Sequence, residues 1–320
     1  MMHRRALLKM ACAAFLAGAS VPSFGQAAAA KVKKLLLVHG RGQGGSKAEV
    51  LKAQWMASLA RGAQNAHLSV PAALDVAFPF YGDQLDRFVK NAELPLTSEA
   101  HARGDLPDDY LQFQGEVAEQ IRQGAHISDE QVQTEYGPNP QPQGPLNWPW
   151  VQAILRAIDK HGGGINMQSL ELFTRDVYLY VTRADVHDAI NLAVASKLTE
   201  EPTVIVAHSL GTVVAYNILT TDLRKLQVPT FVTVGCPLGV RAIRERLRPL
   251  HYPQPVKNWF NAFDTRDVVA LYPLDATNFP ITPPVENDSS VRNGTTNRHG
   301  IDGYLGNATV ATRIVKGLTS

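Results

Sequence analysis

Apolar residues fall into blocks of two kinds along the chain. "KKLLLVHG" (Lys33–Gly40) is a basic flank, four consecutive apolar residues and a turn, the pattern of a strand buried on both faces. "AEVLKAQWMASLARG" places Val50, Leu51, Trp55 and Leu59 at helical spacing. "ALDVAFPFYGD" (Ala73–Asp83) reads as a strand running into a turn. "ELFTRDVYLYVTRADVHDAINLAVASKL" is long and periodic and predicts one helix or two. Then come a strand "PTVIVAHS", a helix "LGTVVAYNILTTDL" and a strand "VPTFVTVGCP" stopped by Gly-Cys-Pro. A strand "VKNWFNAFDTRD" ending in acids and a terminal helix "DGYLGNATVATRIVKGL" complete the series. Unbroken apolar strands alternating with helices predict an α/β fold, a mostly parallel sheet flanked by helices on both faces.

Residues from about 91 to 170 break this rhythm. The stretch "GPNPQPQGPLNWPW" is rich in Pro, Gly and Asn, and the residues before it are polar. The region reads as an insertion, a cap or lid over the working edge of the sheet. Its Trp148 and Trp150 either pack that cap on the body or line an acyl pocket. No internal repeat is visible.

The first 30 residues are compositionally apart. A basic start is followed by a short apolar stretch from Met10 to about Ala19 and small residues at Ala28–Ala30, the layout of a signal peptide. Arg4-Arg5 followed by "ALLK" resembles a twin-arginine signal, which implies a bacterial protein exported already folded, periplasmic or secreted. The apolar stretch is too short to span a bilayer, so no membrane span is expected in the mature chain. Without Arg4, Arg5 and Lys9, 28 basic residues stand against 29 acidic ones, a net charge of −1. That balance offers no electrostatic reason for a nucleic-acid partner. Of two cysteines only Cys236 lies outside this segment, so no internal disulfide is expected and Cys236 reads as a packing residue.

In open parallel sheets ligands sit at the carboxyl ends of strands, so the turns there carry the chemistry. "HGRGQGGSK" (His39–Lys47) matches the dinucleotide spacing Gly40-x-Gly42-x-x-Gly45. The acid expected about twenty residues on is missing, and Ser46-Lys47 reverses the P-loop order, so no cofactor is expected. The second turn, Ala207-His208-Ser209-Leu210-Gly211, sets a serine between small residues two before and two after, as a tight strand-to-helix nucleophile turn needs.

With "HG" on an earlier strand, the chain resembles the α/β-hydrolase family in its lipase and serine-esterase branch. "LLLVHGRG", "VIVAHSLGTVVAY", "VTVGCPLG", "FNAFDTRDVV" and "NRHGIDGYL" carry the likeness, in that order. It also looks like a bacterial subgroup opening with "HGRxQ" and carrying "FPxYGD". The resemblance implies a nucleophile Ser209, an acid in the turn holding Asp264 and Asp267, with Asp267 matching the family's acid before an apolar pair, and a base His299. It implies an oxyanion hole from the backbone N–H groups of Leu210 and Arg41. The expected activity is hydrolysis of carboxylic esters, lipids among them, on small-molecule substrates. A hydrolase-like fold that only binds a ligand remains the alternative reading, and a nucleotide-binding protein a further one. Ala207 departs from the glycine more common at that position.

Among the other histidines, His39 and His208 read as loop-holding residues, His187 as surface, and His251 as a rival base because it precedes the acid turn. Asp83 and Asp86 in "FYGDQLD" read as turn and helix-start residues rather than metal ligands, and no metal site is expected.

Overall fold

The computed structural model describes residues 34–100, 105–138, 144–163, 165–294 and 297–320. The export-signal expectation for residues 1–30 lies outside them. All the described residues fall in one compact unit.

Among the described residues six strands form one sheet: β1 (Lys34–Val38), β2 (Asp75–Ala77), β3 (Thr203–His208), β4 (Phe231–Val234), β5 (Trp259–Asp264) and β6 (Glu286–Val291). Their order is β2-β1-β3-β4-β5-β6, and every pair is parallel. Side chains of a strand point to alternate faces. Leu35, Leu37, Val204, Val206, Val232 and Phe260 enter one core, while Leu36, Val38, Ile205, Ala207, Phe231 and Trp259 enter the other. Burial on both sides explains the unbroken apolar runs.

The first core is covered by α1 (Ala48–Asn65), α10 (Ile301–Leu305) and α11 (Ala308–Thr319). The second is covered by α2 (Gly82–Asn91), α3 (Asp108–Gly124), α4 (Asp129–Tyr136), α5 (Trp148–His161), α6 (Met167–Thr182), α7 (Ala184–Ala195), α8 (Leu210–Thr221) and α9 (Arg241–Arg244). The long periodic stretch thus forms two helices. They break at Arg183, whose extended backbone (φ −107°, ψ 110°) ends α6 and starts α7.

Two stretches hold elements that the apolar pattern does not show. Among its described residues, the interval 91–170, read as an insertion that breaks the strand–helix rhythm, holds α3, α4 and α5. Tyr110, Phe113 and Val117 of α3 and Ile154 of α5 join the core on one face of the sheet. The polar run "ENDSSV", which shows no apolar alternation, is the edge strand β6. Apart from Val291 its side chains are exposed or half-buried, so the strand needs no apolar pattern.

The chain leaves β1 for β2 and then crosses back to β3 on the other side of β1. This reversal opens a crevice between the carboxyl ends of β1 and β3, where ligands bind in open α/β sheets. Among the described residues, no helix is long and apolar enough to cross a membrane.

Candidate active site

β3 passes into α8 through one residue. Ser209 has φ 56° and ψ −130°, a region that costs a non-glycine residue about 1–3 kcal/mol and persists only where the surroundings force it. The surroundings are tight. A Cβ on Gly211 would lie 2.4 Å from the carbonyl oxygen of Val38 and 2.5 Å from that of His39. A Cβ on Gly40 would lie 2.8 Å from the Cβ of Ser209. The start of α8 is therefore pressed onto the end of β1, and the Ser209 side chain stands at the crevice.

Ser209 Oγ lies 2.7 Å from His299 Nε2, and His299 Nδ1 lies 2.8 Å from Asp267 Oδ2. A carboxylate only accepts, so Nδ1 carries the imidazole proton and Nε2 is left to accept from the serine hydroxyl. A serine, a histidine and an aspartate from three separate loops thus form one continuous hydrogen-bonded chain, the arrangement that nucleophilic catalysis by serine requires.

The two acids of the turn are partnered differently. Asp267 Oδ1 accepts the N–H of Val269 at 3.1 Å, and Oδ2 accepts the Tyr304 hydroxyl at 2.6 Å besides His299. Asp264 turns away: it accepts the N–H of Arg266 at 2.9 Å and of Asn293 at 2.7 Å, and pairs with the Arg266 guanidinium. Burial alone would raise the Asp264 carboxyl, but these donors outweigh it and hold it below the usual range. Asp264 thus braces the loop that carries His299.

Both loop histidines are buried. His39 donates from Nδ1 to the Gly40 carbonyl at 2.6 Å and accepts the Tyr81 N–H on Nε2 at 3.2 Å; burial lowers its pKa to about 4. His208 donates from Nε2 to the backbone carbonyl of His299 at 2.8 Å. Burial and then the neighbouring His299 hold it well below its ordinary value. His251 is exposed, donates to the Pro249 carbonyl, and does not border the cavity. His187 is half-buried rather than free on the surface: Asn217 donates to its Nε2 at 2.7 Å.

A cavity of about 770 Å³ opens over Ser209 and His299. Trp55, Phe173, Val269 and Ile301 form apolar wall, and Asp159, Asn166, Ser169 and Asn297 form polar wall. Asp159, Ile165, Asn166 and Ser169 come from the 91–170 region. Neither Trp148, which donates to the Thr97 carbonyl, nor Trp150, which packs on Tyr136, borders this cavity; Trp150 borders a second cavity of about 380 Å³ beside α3 and α5. Trp55 and Phe173 pass in the sequence for ordinary apolar helix positions, and no local signal marks Tyr304.

Leu210 opens α8, so its N–H belongs to the helix N-terminal amides that lack a carbonyl within the helix. Arg41 borders the cavity, and its Nε donates to Asp176 Oδ2 at 2.8 Å. Burial raises the Asp176 carboxyl against the pull of Arg41. The glycine-rich loop is occupied from within the chain. The N–H of Gly45 donates to Asp83, and Asp86 fills the place where a Cβ of Gly44 would stand. Cys236 is buried and its thiol is pushed up to about 11, away from a reactive thiolate. Among the described residues, no three His, Cys, Asp or Glu side chains gather as metal ligands.

Comparison with protein-family models, with curated proteins and with solved structures finds no match.

Proposed function

We propose that the chain is a serine hydrolase that cleaves carboxylic esters through an acyl-enzyme, on an α/β-hydrolase fold capped by the 91–170 region. The observation that carries this reading is the relay Ser209–His299–Asp267, with contacts of 2.7 and 2.8 Å, on a turn held at positive φ. The contribution of the 91–170 region to the cavity wall supports the cap.

The chemistry follows from the tautomer. His299 Nε2 takes the proton as Ser209 Oγ attacks the ester carbonyl carbon. The carbonyl π pair moves to oxygen, and the N–H groups of Leu210 and Arg41 are the donors for that oxyanion. Its collapse breaks the bond to the alcohol oxygen, which leaves with the proton from His299. Water then repeats the sequence and frees the acid. Asp267 keeps Nδ1 protonated and compensates the imidazolium while it lasts. Trp55 and Phe173 are the surfaces for the apolar part of neutral esters, lipids among them. The Arg4-Arg5 pattern supports export of the folded chain as part of the same proposal.

The test is labelling with a fluorophosphonate probe, beside turnover of chromogenic esters. The wild type should be labelled on the Ser209 peptide. Ser209→Ala should stay folded, escape labelling and lose about a million-fold in turnover. Turnover retained within about tenfold would remove Ser209 from the chemistry. A folded wild type that takes no label and turns over no ester would point to the binding-protein reading.

A further inference from the structure

The oxygen of Asp267 that faces His299 is shared. Oδ2 lies 2.8 Å from His299 Nδ1 and 2.6 Å from the hydroxyl of Tyr304. Tyr304 sits on α10, the short helix that follows His299 and Gly300. Its ring is fully buried, and the same hydroxyl oxygen accepts the N–H of Asp264 at 3.2 Å. That N–H fixes the direction of the hydroxyl, since the oxygen's donor hydrogen is left for Asp267. Burial, and then the charge of Asp267, hold the phenol protonated, so it remains a donor throughout the pH range of ester hydrolysis.

We infer that Tyr304 is a positioning residue that sets the basicity of His299 by sharing the acceptor oxygen of Asp267. The inference rests on the relay proposed above. A hydrogen bond to a carboxylate stabilises its charged form. With Tyr304 donating, part of the Asp267 charge is already compensated, and the carboxylate gains less from a protonated His299. Without that donor, a carboxylate only 1% exposed is left with the Val269 N–H and His299. The imidazolium then becomes its best compensation, and His299 holds its proton to higher pH. A base that deprotonates later is inactive over more of the acid range.

The experiment is Tyr304→Phe, which removes one oxygen and keeps the ring. His299 is followed by NMR titration of its imidazole in ¹⁵N-histidine protein carrying Ser209→Ala, with and without Tyr304→Phe. The pH dependence of ester kcat/KM is measured in the enzyme that retains Ser209. The His299 titration is expected to move up by about one pH unit, since an opposite charge close by shifts a group by this order. The acid limb of kcat/KM should move with it, so that the roughly tenfold deficit below the limb shrinks toward higher pH. A titration that stays in place or moves down overturns the inference, even if activity falls, because a purely structural loss lowers the profile without displacing it. Should Tyr304→Phe fail to fold, 3-fluorotyrosine at position 304, a stronger donor, should move the titration down, and no movement overturns the inference. The NMR arm reads His299 whether or not the chain hydrolyses esters, so failure of the relay reading, seen as an unlabelled Ser209, is separable from failure of this one.

Discussion

Asp264 and Asp267 stand three residues apart in one turn and both are buried, yet their oxygens have different partners. Asp264 accepts backbone N–H groups and an arginine, so its charge serves the loop. Asp267 accepts from the His299 imidazole, so its charge serves the proposed base. The substitution that separates them is Asp→Asn, which keeps the shape and removes the charge. At Asp267 an amide can present its N–H to His299 Nδ1, which reverses the tautomer and leaves Nε2 protonated toward the serine; a loss of about ten-thousand-fold is expected, as in a related triad. At Asp264 the amide still accepts from Asn293 with its oxygen but loses the charge-assisted bonds, a cost of about 1–3 kcal/mol in stability. Its turnover should stay within about tenfold at equal folded concentration. Chromogenic-ester assays beside urea melts of both variants decide this. A silent Asp267→Asn with an inactive Asp264→Asn would reverse the roles.

At the scale of elements, what the sequence makes legible is what is local. β1, β3, β4 and β5 show as apolar runs because both their faces are buried. The Ser209 turn shows because small residues two positions away on either side are all it needs. β6 stays hidden, since an edge strand of "ENDSSV" has no apolar pattern and is held by its ladder to β5 and by contacts such as Asn261 to Asn287. The helices of the 91–170 region stay hidden because their apolar positions are interleaved with Gln, Glu and Asp and bracketed by a Pro-rich stretch. Tyr304 with Asp267, and Asp176 with Arg41, are pairs made across 37 and 135 residues, which no spacing rule reaches. The same locality gives a test of the turn. Gly211→Ala places a methyl against the backbone carbonyls of Val38, the last residue of β1, and His39 just beyond it, which cannot give way, so α8 must shift and soluble folded protein should largely disappear. Gly42→Ala meets no neighbour and bears only its positive φ, a cost of about 1–2 kcal/mol. Melting temperatures of the two variants compare them. A Gly211→Ala protein melting within about 2 °C of wild type would show that α8 is not pinned to β1.

The whole molecule carries the site on buried neutral histidines, and this makes its stability depend on pH in a definite sense. His39 is 1% exposed, stacked on Tyr81 at 4.0 Å and fixed by bonds to Gly40 and Tyr81. Its pKa is about 4 in the fold against an ordinary 6.5. Below pH 6.5 the unfolded chain binds a proton that the fold refuses, so stability rises with pH across this window. The contribution is complete above about 6.5 and is lost as pH falls toward about 4. Fully spent, that gap corresponds to about 3 kcal/mol. His208, lowered by burial, acts in the same direction. Glu171 and Asp176, raised by burial, act in the opposite one, because the fold holds their protons more readily than the unfolded chain. A comparison of variants isolates the histidine. Urea unfolding of wild type and His39→Gln is measured from pH 7.5 to about 4.5. The wild type should lose stability steadily below pH 6.5. His39→Gln should be weaker at pH 7.5 but flatter, so that the difference between the two proteins shrinks as pH falls. Parallel curves would mean that His39 titrates alike in the folded and unfolded chains, and that its burial at the end of β1 does not govern the acid sensitivity of the fold.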